Sequence, residues 1–134
     1  MRITTKGRYG LRAVVQLAKN ESENPIPIRQ IAQAEDLSAE FLEQIFFRLK
    51  KAEIITSTRG ASGGFRLSRT PEEITILEIL DAVGEDINLS PCESARDCER
   101  IAGCTTSGLW SEATRLIRDY FEKVTLRDIM QDCI

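Results

Sequence analysis

The sequence predicts a mainly α-helical fold with one small β-hairpin, and three observations carry that prediction. Apolar residues recur at helical spacing through most of the chain. Two short periodic segments in the first half are separated by only a few residues. A glycine-rich stretch, Arg59-Gly60-Ala61-Ser62-Gly63-Gly64, sits between two runs of β-formers. A chain of 134 residues with 42% hydrophobic content supports one packed core with an appended element, not two independent domains.

Leu11, Val14, Val15 and Ala18 place a first helix over about residues 5 to 19, stopped by Lys19, Asn20 and the loop that runs to Pro27. Pro27 presets the backbone for a short second helix, with Ile28, Ile31 and Ala34 on one face and an end near Glu35. Asp36 and Leu37 make a tight turn, and Ser38 caps a third helix whose apolar stripe is Phe41, Leu42, Ile45, Phe46 and Leu49. Two helices joined so closely form a helix-turn-helix candidate. Ile54, Ile55, Thr56 and Thr58 favour a strand, as does Phe65 to Leu67, and the glycines between them permit the positive backbone angles of a hairpin turn. A hairpin directly after a helix-turn-helix is a wing, so the expected architecture is a winged helix-turn-helix.

Pro71 marks the exit from the wing. Thr75 with Glu78 forms a capping box for a fourth helix through Ile76, Ile79, Leu80 and Val83, with Gly84 as its stop. Residues 85 to 107 hold Pro91, Gly103 and three cysteines with little apolar periodicity, and they read as a loop. So long a loop in a compact domain usually has a function. Leu109, Ala113, Leu116, Tyr120 and Val124 then define a long amphipathic C-terminal helix, and Thr125 with Asp128 caps a last short turn containing Leu126 and Ile129. The expected division is 1–84, 85–107 and 108–134.

The net charge of −3 conceals an asymmetry. Residues 1–69 carry 12 Lys and Arg against 7 Asp and Glu, a net +5, whereas residues 70–134 carry 6 against 14, a net −8. A basic half joined to an acidic half suits a nucleic-acid-binding module that carries a regulatory or assembly module; chance clustering is the bland alternative. Arg12, Gln16 and Lys19 interrupt the early apolar run, and no stretch approaches the roughly 20 apolar residues of a membrane span. The chain is therefore expected in the cytoplasm, with no membrane partner. There, cysteines serve more often as metal ligands or redox groups than as structural disulfides. The absence of histidine and of any Cys-x-x-Cys pair argues against a thiol redox enzyme.

In a helix-turn-helix the second helix lies in the major groove. Here that helix spans Ser38 to Lys51, and its outer face offers Glu40, Glu43, Gln44, Arg48, Lys50 and Lys51. Gln pairs with an adenine edge, Glu accepts from cytosine, and Lys or Arg meets guanine or phosphate. The alternative is a merely solvated helix face. The glycine-rich hairpin presents Arg59, Gly60 and Ser62 at a tip shaped for a minor groove, where narrow A/T segments concentrate negative potential, and Arg66 and Arg69 stand ready for flanking phosphates.

Cys92, Cys98 and Cys104 follow a C-x5-C-x5-C spacing, unlike the C-x2-C pairs of zinc fingers or the runs of common ferredoxins. Three thiolates on one glycine-containing loop suit zinc, copper(I) or an iron-sulfur cluster, and spacing alone does not choose among them or exclude three unrelated thiols.

The segment Met1-Arg2-Ile3-Thr4-Thr5-Lys6-Gly7-Arg8-Tyr9, the run Phe41-Leu42-Glu43-Gln44-Ile45-Phe46, the wing Arg59-Gly60-Ala61-Ser62-Gly63-Gly64-Phe65 and the triple cysteines together resemble the IscR-type iron-sulfur cluster regulators, a winged-helix family that also includes NsrR. That resemblance implies a transcription regulator or repressor acting on double-stranded DNA. It implies a homodimer with the helix in 108–134 as the dimerisation helix, a [2Fe-2S] cluster as cofactor, and control of cluster-assembly genes. A two-fold dimer implies a roughly palindromic operator, and site choice on DNA is expected to change with cluster occupancy. The nitric-oxide-sensing NsrR regulators carry an acidic residue near the N-terminus where this chain has Arg8, which favours the IscR branch. IscR-type regulators usually supply a histidine three residues beyond the third cysteine, where this chain has Ser107. The fourth ligand is then open among Glu43, Ser107, Cys133, a loop acid such as Asp97 or Glu99, and a small molecule. Two other readings stay open: a same-family regulator sensing nitric oxide, iron or redox state through another cluster, and a zinc-stabilised assembly adaptor.

Overall fold

The computed structural model describes residues 1–20, 22–92, 98–132 and 134. Six helices and one hairpin follow in order: α1 Thr5–Ala18, α2 Ile28–Glu35, α3 Ala39–Lys51, β1 Ile55–Thr58, β2 Gly64–Leu67, α4 Ile76–Ala82, α5 Ser107–Lys123 and α6 Leu126–Met130. Short 3-10 turns occupy Pro71–Glu73 and Ile101–Gly103. The mainly helical fold with a small hairpin is that of a winged helix-turn-helix.

Local chemistry sets most of these boundaries. The Thr4 hydroxyl accepts from the Gly7 amide at 3.3 Å and starts α1. Pro27, extended at φ −61° and ψ 143°, precedes α2, and Asp36 closes that helix in the left-handed region at φ 52°. The Leu37 amide returns to the Ala32 carbonyl at 2.9 Å and tightens the turn. Ser38 caps α3 through the Phe41 amide. Both anticipated capping boxes form, Thr75 with Glu78 and Thr125 with Asp128, and a third, Thr70 with Glu73, starts the turn after Pro71.

The strands pair antiparallel from Ile55 with Leu67 to Thr58 with Gly64, and Gly60 takes φ 112° in the turn. A third, unanticipated piece extends this wing. Ile26 and Phe65 exchange both backbone hydrogen bonds at 2.8 Å. The Ile26 backbone fills the space where a Cβ on Gly64 would stand, so this position requires glycine. The Phe65 ring then meets Phe46 edge-on at 4.9 Å between centroids, pinning the wing to α3.

One core joins these elements. Val14 and Leu17 of α1, Ile31 of α2, Leu42, Ile45, Phe46 and Leu49 of α3, and Ile79 of α4 are buried together. Two members come from further along the chain: Ile87 and Leu126 are also fully buried. The Leu126 amide donates to the Ile74 carbonyl at 3.0 Å and the Ile76 amide to the Val124 carbonyl at 2.9 Å, so α6 is stitched to the segment after the wing.

The 17-residue α5 lies where the apolar spacing placed it. Thr114 is buried, and Ile117, Phe121 and Val124 pack against the core. Leu109, Leu116 and Tyr120 point out at 62%, 56% and 51% exposure, accompanied by Trp110. Among the described residues no helix is long and apolar enough to cross a membrane.

Candidate functional site

The reading face is built from α3 outward. Leu42, Ile45, Phe46 and Leu49 anchor one side of the helix in the core, and helical geometry turns Glu43, Gln44, Lys50 and Lys51 to solvent. Arg48 is also exposed, but its guanidinium reaches back across the helix to lie 2.8 Å from where a Cβ on Gly84 would stand, close to Lys6. It therefore marks the edge of the face next to α4. Phe47, which the periodicity does not assign to the core stripe, is 70% exposed in the middle of this face.

Arg59, Gly60 and Ser62 sit at the exposed hairpin tip, and Arg66 projects from β2 opposite Thr56. Among the described residues the ion pairs fall elsewhere: Arg12 holds Glu35 at 2.7 Å between α1 and α2, and Arg118 holds Asp81 at 3.0 Å between α5 and α4. Arg48, Lys50, Lys51, Arg59 and Arg66 enter none of these pairs and remain available to phosphates. Arg69 corrects an expectation. It holds Glu78 at 3.0 Å and donates to the Glu73 carbonyl at 3.1 Å, so it braces the wing against α4 and is not free for a flanking phosphate. Glu78 is held below its ordinary range: its partial burial opposes the charged form, but hydrogen bonds from the Thr75 amide and Arg69 outweigh that cost.

The thiol segment begins from a buried carboxylate that sequence reasoning missed. Glu85 is 6% exposed, and it accepts from the Thr4 amide at 2.9 Å and from the Thr4 hydroxyl at 2.6 Å. A carboxylate at the start of α1 also meets the positive end of the helix dipole. Gly7 leaves the space this carboxylate occupies, since a Cβ there would overlap its oxygen. An acid just after a helix-stopping glycine was the available signal, yet its partner lies 81 residues away. Farther along, the Leu89 amide donates to the buried Thr114 hydroxyl of α5 at 3.2 Å. Residues 85 to 89 are thus fastened to α1 at one end and α5 at the other.

Cys92, Cys98 and Cys104 are free and half-buried. Cys104 lies just before α5, within 3.4 Å of the Thr106 hydroxyl. Hydrogen bonds from that hydroxyl, then from the Thr106 and Ser107 amides, hold its thiol below the ordinary range and favour the thiolate, the form that ligates metal. Ser107 sits beside it, its hydroxyl donating to the Cys104 carbonyl at 3.0 Å. Glu99 is exposed in the shallow groove that Cys104 also lines. Glu43 lines grooves walled by α2, α3, the hairpin and Ala82. Asp97 and Cys133 lie outside the described residues. Among the described residues, no three of Cys, Asp and Glu converge to hold a metal ion. The donor chemistry nevertheless fits a soft metal centre: reduced thiols, one of them biased toward thiolate.

The family model described as Rrf2, iron-dependent transcriptional regulator, matches residues 3–132. An HTH-type transcriptional regulator IscR from Vibrio campbellii is 34% identical over 132 residues, covering 98% of this chain and 79% of the relative. Among solved structures, T. potens IscR aligns with a TM-score of 0.79 at 30% identity, covering 100% of this chain and 89% of that one. CymR, the global cysteine regulator of B. subtilis, aligns with a TM-score of 0.79 at 33% identity, covering 96% and 95%. The relatives are regulators rather than enzymes, and their winged helix-turn-helix is a DNA-binding device. The chain therefore belongs to the Rrf2 family of transcriptional regulators.

Proposed function

We propose that this DNA-binding regulator senses an iron-sulfur cluster, [2Fe-2S] in type, held by Cys92, Cys98 and Cys104, and that occupancy changes which DNA sites it binds. One observation carries the reading. The segment that leads to the three thiols is tied to α1 through Glu85 and Thr4 and to α5 through Leu89 and Thr114. Ordering the thiol loop therefore bears on both the reading head and α5. The cluster would supply a redox-labile anchor drawing the three thiolates together. The exposed stripe Leu109, Leu116 and Tyr120 suits a homodimer through α5, and two reading heads then suit a roughly palindromic operator, with Glu43, Gln44, Arg48 and Lys50 in the major groove and Arg59, Gly60, Ser62 and Arg66 at the wing. The resemblance to IscR-type iron-sulfur cluster regulators extends the proposal to cluster-assembly genes as targets. The fourth ligand is proposed from Glu43, Ser107, Cys133 or a loop acid.

The test is anaerobic ultraviolet-visible spectroscopy with iron and sulfide quantification, paired with DNA binding of the apo and reconstituted protein. Visible charge-transfer bands that vanish on replacing any of the three cysteines by alanine, and different affinities of the two forms, are expected. A protein that stays iron-free after reconstitution overturns the sensor reading and directs attention to zinc.

A further inference from the structure

We infer that Phe47 reads the 5-methyl group of a thymine in the major groove, and so adds an apolar specificity contact to the polar contacts of α3. The inference rests on α3 being the reading helix of the function proposed above. Phe46 is 1% exposed and Phe47, the next residue, is 70% exposed. A helix turns about 100° per residue. Because Leu42, Ile45, Phe46 and Leu49 fill the inner side, that turn sets Phe47 near the centre of the outer one, between Glu43 and Gln44 before it and Lys50 and Lys51 after it. Its ring borders both depressions flanking α3, one shared with Gln44 and Arg48 and the other with Lys50 and Ser57.

An aromatic ring left in water forfeits its burial energy unless a partner covers it. Among the described residues the other large exposed apolar side chains are Met1, Ile101, Leu109, Trp110, Leu116, Tyr120 and Ile134, none of them on α3 or the hairpin. The groove beside Phe47 also holds the half-buried Ile28 and Phe65, bordered by Glu43, Lys50 and Ser57, so the apolar surface around the ring is small. Around the ring stand Glu43, Gln44, Arg48, Lys50 and Lys51, and among the described residues none of these three cations enters an ion pair. That combination calls for a polyanion presenting a small apolar group. The floor of the B-DNA major groove presents one, the thymine methyl, between two rows of phosphates. Gln44, on the same face, is suited to the adenine edge of an A·T pair.

The experiment uses the full chain and a duplex selected from a randomised library by this protein. Each thymine of the selected duplex is replaced singly by deoxyuridine, which removes only the methyl group. Wild type, Phe47→Ala and Phe47→Leu are compared by fluorescence anisotropy. One thymine per half-site is expected at which uracil weakens wild-type binding about fourfold, the equivalent of one buried methyl. Phe47→Ala is expected to be indifferent to that replacement, and Phe47→Leu to retain part of the effect. Unchanged urea midpoints verify that the variants fold. If wild type enriches a sequence in which no uracil replacement matters, or if Phe47→Ala keeps the full wild-type sensitivity, the inference falls while the DNA-reading function stands. If wild type enriches no sequence at all, both fall.

Discussion

α3 and α5 are both amphipathic and of similar length, yet their two faces are used in opposite ways. α3 buries Leu42, Ile45, Phe46 and Leu49 in its own chain and exposes charge around a single ring. In α5 only Thr114 is fully buried, and Leu109, Trp110, Leu116 and Tyr120 remain in solvent. A helix whose apolar face is covered within one chain is free to work with its polar face. One whose apolar stripe is uncovered calls for a second surface. The contrast supports the proposed division, with ligand reading on one helix and assembly on the other.

The largest effect is expected on α5. Leu116→Glu combined with Tyr120→Glu should convert a dimer into a monomer by light scattering and weaken binding to a two-half-site duplex at least ~100-fold through lost avidity. A double variant that stays dimeric would remove the distinction between the two helices. Leu42→Ala, on the covered side of α3, should instead lower the unfolding free energy by about 3 kcal/mol in urea denaturation, because it opens a cavity in the core.

The clamp at the start of α1 comes next. Thr4→Val and Glu85→Gln should each cost about 1 to 2 kcal/mol, since each disturbs a partly buried hydrogen bond to a carboxylate, and their effects should be strongly non-additive in a double-mutant cycle. Additive losses would show that Glu85 does not work through Thr4. The smallest stability effect belongs to the wing tip. Arg59→Ala should leave the urea midpoint unchanged while reducing the slope of log affinity against log salt by about 1 per half-site contact. An unaltered slope would take Arg59 off the phosphates.

Much of this contrast was legible in the residues. Ser38, Thr75 and Thr125 announce helix starts because a cap acts within three residues. The stripe of α3 announces its inner side because every residue in it meets the same core. The stripe of α5 was legible as a helix but not as a surface: Leu109, Leu116 and Tyr120 have the spacing of a packed face, and so do Ile117, Phe121 and Val124. Phe47 falls off the stripe of α3 by the same periodicity, but only the packed structure leaves its ring 70% exposed on the outer face.

The sequence by itself determined the order and kind of elements, the basic and acidic halves, the wing with its glycines and the run of three thiols, because all of these depend on neighbours a few positions apart. Tertiary structure alone decided which side of α5 stays uncovered, that Ile26 extends the wing, that Arg69 is spent on Glu78, and that Glu85 closes on Thr4. Each of these depends on groups brought together by the packing of the core, where chain separation leaves no periodic trace.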